Sequence, residues 1–260
     1  MRIGICTSVS SSDAARDAGA DFVEEHVQGF LVPRDGDDAF APKRRAAAES
    51  AVPVRAANCF LPGDMKCVGP DVRTDELFEY ARVAFARARE AGIGVIVFGS
   101  GGSRRIPDGF PRERAADQFA SLLAGLGPVA ARHEVTIAVE PLNSDECNFI
   151  NSLAEGAELV RRADHPNVRL LADIYHMLKD GEPPGEIARH GGLLAHCHVA
   201  EKEGRRAPGT GPEDLRPFLG ALVGAGYAGG ISIECGWKDF AAEAAGAVEY
   251  LRKQLADVTP

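Results

Sequence analysis

The chain has 260 residues, 45% of them apolar and 26% charged, so it can bury a large core and needs no disulfide staples. A formal net charge of −9 and a pI near 5.3 oppose nonspecific attraction to nucleic acid or to an anionic membrane. There is no run of about 18 uncharged apolar residues, and residues 1–6 read as a first strand, not a signal peptide, so a cytoplasmic protein with a small-molecule partner is expected.

In chain order, apolar runs punctuated by Gly and Pro predict strands at 2–6, 21–26, 53–59, 93–99, 135–140, 168–173, 192–198 and 230–234. Helical patterns fall between them: a short one at 11–18, then 37–50, 72–91, 112–132, 151–163, a short one near 184–190, 212–224 and a closing one at 239–256. Thr74 or Asp71 is a candidate cap for the third helix, Gly92 its stop, and Asn151-Ser152 the start of the fifth. Eight strands alternating with eight helices imply parallel strands and right-handed crossovers. Over 1–260 that number of units favours one domain closed into a single (β/α)8 barrel. Stretches 60–71 and 99–111, rich in Gly and Pro, are expected to be irregular. The six cysteines, Cys6, Cys59, Cys67, Cys147, Cys197 and Cys235, form no CxxC pair and read as small buried hydrophobes.

Four strands of the second half each end in an acid-base or metal-binding side chain: Glu140, Asp173, His198 and Glu234. They stand 33, 25 and 36 residues apart, and each interval suits one helix with its loops. In a barrel the carboxyl ends of the strands meet at one rim, where βα loops build the active site. Three carboxylates and an imidazole suit one divalent ion, Mn²⁺, Mg²⁺ or Co²⁺, and can take Zn²⁺. Singly, each residue reads as well as a helix cap or a hydrogen-bonded core group; the recurrence at successive strand ends favours the site.

Other features carry weaker signals. Glu24-Glu25 closes the second strand; one of the two is expected to face the barrel mouth and the substrate, with a surface or helix-capping role as an equal alternative. Gly99-Ser100-Gly101-Gly102-Ser103-Arg104-Arg105 reads as a tight βα turn, with a phosphate cradle as the alternative. His196, on the same strand face as His198, reads as a structural partner rather than a ligand, and Trp237 as a pocket wall or ordinary packing.

The local sequences also carry a resemblance. Glu140-Pro141-Leu142-Asn143 with Glu146, Asp173-Ile174-Tyr175-His176-Met177, His198-Val199-Ala200-Glu201 with Arg205 and Pro208-Gly209-Thr210-Gly211, and Glu234-Cys235 resemble the xylose isomerase-like barrel superfamily. Within it they are similar to the sugar isomerase and 3-epimerase branch related to tagatose and psicose epimerases. Phe98-Gly99-Ser100-Gly101-Gly102 and Pro107-Asp108-Gly109-Phe110 extend the similarity to the fourth strand and its loop.

The resemblance implies a metal-dependent sugar or sugar-phosphate isomerase or epimerase. Glu140, Asp173, His198 and Glu234 would hold one divalent ion, and Glu140 and Glu234 would double as the acid-base pair through a cis-enediolate. Glu146 and His176 would bond the substrate's reactive end and Arg205 its oxygens. In the free-sugar epimerases the arginine usually follows the metal histidine by six positions; here Arg205 follows by seven and Arg206 by eight, so either is a candidate. Barrels of this kind commonly form homodimers or homotetramers.

The same proton abstraction would serve a dehydratase of the inosose or 3-dehydroshikimate type, which is the alternative. An apurinic-site endonuclease would need a histidine-rich multinuclear zinc centre and a basic face, against the charge of −9. A binding barrel without catalysis is disfavoured by Glu140 and Glu234.

Overall fold

A computed structural model describes residues 1–259. Its strands are β1 (Arg2–Cys6), β2 (Phe22–His26), β3 (Val54–Asn58), β4 (Val95–Phe98), β5 (Thr136–Val139), β6 (Val168–Asp173), β7 (Leu194–Val199) and β8 (Gly230–Ile233). Each pairs in parallel with the next and β8 pairs with β1, which closes the barrel. Every strand falls within two residues of its expected bounds, because a parallel strand covered on both faces is a continuous apolar run that sequence periodicity detects well.

Ten α-helices lie among the described residues: α1 (Ser12–Asp17), α2 (Asp37–Glu49), α3 (Thr74–Ala91), α4 (Gly101–Arg104), α5 (Arg112–Arg132), α6 (Leu153–Ala163), α7 (Ile174–Asp180), α8 (Gly185–His190), α9 (Arg216–Gly224) and α10 (Phe240–Val258). The sequence pattern predicted neither α4 nor α7, nor the wide turn at Val27–Leu31 that follows β2. All three are single or double turns, too short to show a 3.6-residue period. Ser152 caps α6 as expected, its hydroxyl accepting the Glu155 N–H at 3.2 Å, and left-handed Gly92 ends α3. Arg73, and neither Thr74 nor Asp71, occupies the position before α3.

The core has two compartments. Outward-facing strand residues such as Ile3, Ile5, Val139 and Ile233 pack against the helices. Inside the barrel, Val97, Ala138 and Leu171 form a small apolar cluster. Phe22 crosses the interior floor: a methyl at Gly4 would stand 2.2 Å from its ring and one at Gly230 2.8 Å, so two strands give up side chains to seat one aromatic.

Above Phe22 the interior turns polar. Cys6 lies beside Glu24 across β1 and β2, and Asp173, His198 and Ser232 lie side by side across β6, β7 and β8. Because strand side chains alternate, one register brings these groups to the same level just below the carboxyl rim. All six cysteines are free; Cys67, Cys147 and Cys197 are buried, whereas Cys6, Cys59 and Cys235 are half-buried near strand ends at the rim.

Candidate active site

Glu140, Asp173, His198 and Glu234 converge at that rim, and one donor atom from each lies within 4.8 Å of every other. His198 is the centre, its Nδ1 standing 3.1 Å from Glu140 Oε1 and 3.2 Å from Glu234 Oε2. His198, Asp173 and Glu140 are buried, and the Glu234 side chain is 22% exposed, so the cluster opens on the β8 side. Asn58 steadies Glu234 by donating from Nδ2 to Oε1 at 3.1 Å.

The local chain explains each placement. Glu140 follows β5 directly, its N–H still bonded to the Phe98 carbonyl of β4 at 3.3 Å. Gly99 gives its carboxylate room, since a methyl there would lie 2.0 Å from Glu140 Oε2. Asp173 both ends β6 and caps α7, accepting the Tyr175 N–H on Oδ1 at 2.8 Å. Its other oxygen is buried with no hydrogen-bond partner, as is His176 Nε2, 3.4 Å away.

That unpartnered carboxylate oxygen is the test of fit for a cation. A buried acceptor left bare costs free energy that a positive ion at the cluster centre would return. With oxygens from Glu140 and Glu234 and the Nδ1 of His198, the donor set matches a divalent ion that prefers oxygen and tolerates one imidazole. Cys6 also approaches Glu24 and His198. Burial, then the Glu24 charge, push its thiol well above the ordinary 9.0.

Electrostatics follow from burial and crowding. Burial, then the Glu140 and Glu234 charges, raise the Asp173 carboxyl, with His176 and His198 opposing them. Burial lowers the His198 imidazole, but Glu24, Glu234 and Glu140 outweigh it and hold the group well above 6.5. Glu234 runs the other way: burial raises it, while His198 and Arg205 bring it below its ordinary value. Burial is also what lowers His176.

At the outer rim, Arg205 binds Glu234 through Nη2, which also stands 3.6 Å from Asp173 Oδ2, and its guanidinium lies 4.6 Å over the Tyr175 ring. Arg206 instead points outward and donates to the Glu203 carbonyl. Left-handed backbone at Gly204 (φ 72°) and Arg205 (φ 49°) turns Arg205 back over the cluster. Glu146 stands 3.6 Å from Arg205 Nη1, and Asn143 joins it to His176, donating to Glu146 Oε1 at 3.0 Å and approaching His176 Nδ1 at 2.7 Å.

Glu24 is placed differently from its expectation. It does not face the mouth; it is 1% exposed beneath the cluster, with one oxygen 2.9 Å from His198 Nε2 and the other shared by His196 and Ser232. The inward phase of β2 carries Glu24 below the cluster, where the barrel's own donors occupy it. Asn58, Asn143, Tyr175 and Ser232 went unread as site residues. Asn58 closes β3 as Glu140 closes β5, and Ser232 precedes Glu234 by two as His196 precedes His198, so both carried a positional signal.

Both arginines of the Gly-rich turn after β4 are committed to backbone carbonyls. Arg104, fully buried, donates to the carbonyls of Phe98 at 3.0 Å and Ile150 at 3.5 Å, and Arg105 donates to the Glu146 carbonyl at 2.6 Å. Trp237 packs edge-on against Phe240.

Fold and site together define a closed parallel α/β barrel with an acidic, histidine-centred cluster at its carboxyl rim. The chain belongs to the xylose isomerase-like TIM barrel family, whose profile matches residues 12–254. It is 29% identical over 252 residues to an L-ribulose 3-epimerase of Mesorhizobium japonicum, covering 90% of this chain and 80% of that protein. It is 27% identical over 197 residues to a 3-dehydro-D-guloside 4-epimerase of Escherichia coli, covering 74% and 75%. The D-psicose 3-epimerase of Clostridium cellulolyticum H10, solved with D-tagatose, superposes with a TM-score of 0.86 at 20% identity over 98% of this chain and 99% of that one.

Proposed function

We infer that the protein is an isomerase-class enzyme that epimerises a small ketose at a carbon next to its carbonyl, using Glu140 and Glu234 to remove and return the proton. The observation that carries this reading is the pairing of those carboxylates. They come from β5 and β8, three strands apart around the ring, yet each reaches His198 Nδ1 within 3.2 Å. A substrate between them would meet a base on each face of the reacting carbon, and two faces are what epimerisation needs. The sugar epimerases among its relatives support the reaction class.

A divalent cation held by Glu140, Asp173, His198 and Glu234 would polarise neighbouring carbonyl and hydroxyl oxygens and acidify the C–H between them. The protein's own groups do the rest. Arg205, kept protonated despite burial by Glu234, Asp173, Glu140 and Glu146, offers a fixed cation to the substrate's oxygens. His176 and Glu146, joined through Asn143, form a second hydrogen-bonding wall. Tyr175 supports the guanidinium from below.

An unphosphorylated substrate fits this rim better than a sugar phosphate. Arg104 and Arg105 are committed to backbone carbonyls, as is Lys66, which bonds those of Gly63 and Gly102. The cation that faces the cluster, Arg205, is already shared among its carboxylates. The test is solvent-deuterium incorporation into a panel of free and phosphorylated ketoses with Mn²⁺, in wild type, Glu140→Gln and Glu234→Gln. Exchange into a free ketose that is lost in both variants is the expected result. Exchange that survives both substitutions removes the acid-base assignment, and water loss without isomer interconversion would make the enzyme a dehydratase.

A further inference from the structure

We propose that Glu24 is a positioning residue for the cation site, fixing the tautomer and the basicity of His198 from inside the barrel. The inference rests on reading the four-residue cluster as a cation site and adds to it a residue from a strand that supplies no ligand.

Glu24 accepts from two sides. Its Oε1 lies 2.9 Å from His198 Nε2, and its Oε2 lies 2.7 Å from His196 Nε2 and 2.6 Å from Ser232 Oγ. An ionised carboxylate has no proton to give, so the hydrogen of each of these contacts belongs to the imidazole or the hydroxyl. With Nε2–H committed to Glu24, Nδ1 is the nitrogen that faces Glu140 and Glu234 and would turn its lone pair to a bound cation. A carboxylate behind an imidazole both orients the ring and makes its free nitrogen a better donor.

The surroundings of Glu24 suit that role and no direct one. It is 1% exposed, so it meets neither solvent nor substrate. Its three donors come from β7 and β8, and the Phe22 ring, whose centroid is 6.2 Å from that of His196, closes the floor beneath. A charge buried this deeply is destabilising unless fully bonded, and the donors that satisfy it also hold it at one distance from His198. The polar layer inside the barrel thus forms the lower half of the cation site.

The experiment is Mn²⁺ titration by calorimetry, with the Mn²⁺ electron paramagnetic resonance spectrum as a second readout, on wild type, Glu24→Gln and Ser232→Ala. Glu24→Gln keeps the shape and a hydrogen-bond acceptor but removes the charge. Its Mn²⁺ affinity is expected to fall roughly 10- to 100-fold, with an altered spectrum and a retained circular dichroism signature. Ser232→Ala removes one donor and leaves the charge, so its loss is expected to be smaller; if Glu24→Gln does not fold, this variant carries the test. A folded Glu24→Gln protein with wild-type affinity and spectrum overturns the proposal, even if its melting temperature falls, because that would mark Glu24 as purely structural. An unaltered Ser232→Ala protein overturns it where Glu24→Gln fails to fold. If the wild type itself binds no Mn²⁺, Mg²⁺ or Co²⁺, the reading of the cluster as a cation site fails first, and that outcome is seen before any variant is compared.

Discussion

Gly99→Ala should nearly abolish activity while sparing the fold. A methyl group built on Gly99 lies 2.0 Å from Glu140 Oε2 and 3.2 Å from its Cδ, whereas ordinary van der Waals contact begins at 3.4 Å. The carboxylate must therefore retreat by about 1.4 Å, a displacement of the size that costs roughly 100-fold when it affects a catalytic group. The obstacle is the end of a side chain rather than backbone, so rotation of Glu140 relieves it and stability should drop by no more than about 1–2 kcal/mol. The assay is solvent-deuterium exchange into the ketose that serves as substrate, measured beside chemical denaturation. Exchange within threefold of wild type would refute the reasoning, because Glu140 would then be indifferent to where its oxygen lies. Unfolding of the variant would refute it differently, by showing that the turn after β4 cannot yield.

Three further outcomes are expected. Arg205→Ala should lower kcat/KM by roughly 10- to 100-fold, the worth of a hydrogen bond from a charged donor, whereas Arg206→Ala should remain within about twofold because its side chain points away. Arg104→Met should change stability in urea by no more than about 1–2 kcal/mol, since the Phe98 and Ile150 carbonyls keep the backbone N–H groups of Glu140 and Leu142 as partners and the substitution removes a buried charge whose Nε has none. Glu182 sits at the start of α6, bonded to the Leu153 N–H at 2.9 Å, and burial pushes its carboxyl from the ordinary 4.5 up to about 7. The folded protein holds this proton more tightly than the unfolded chain, so the group's contribution is intact below pH 4.5 and is lost as pH rises through 7. Discounted for partial exposure, the loss is on the order of 1–2 kcal/mol, and melting curves of Glu182→Gln should shed that decline between pH 4.5 and 7. Parallel curves for variant and wild type would show that Glu182 does not titrate in that window.

The barrel was legible because its eight strands are short apolar runs at intervals of one helix, a pattern that survives without knowledge of contacts. The cluster was legible for a related reason: one charged or imidazole side chain ending such a run is an ordinary cap, but four in succession bring four donors to one rim. What could not be read was depth. Glu24, Glu140 and Glu234 look alike at the end of an apolar run, yet Glu24 has all its bonds inside the barrel while Glu234 remains partly open. That difference is set by where β2 lies relative to β7 and β8, which are 172 and 208 residues away along the chain. The direction of Arg205 was equally invisible, because it depends on two left-handed residues, one of which is not glycine.

Asp173 shows that a strand-end carboxylate can cap a helix and serve a site at once. Its Oδ1 caps α7, and its Oδ2 is left bare toward the cluster. The cap does more than begin a helix: it fixes the carboxylate plane, so the second oxygen has one direction in which to point. It also starts α7 in the phase that brings His176 within 3.4 Å of that same oxygen and Tyr175 under Arg205. A single backbone hydrogen bond thereby orients a candidate ligand, a candidate substrate contact and the platform for a third group. The sequence marks this economy only as Asp-Ile-Tyr-His-Met, five residues that read equally well as the start of a short helix.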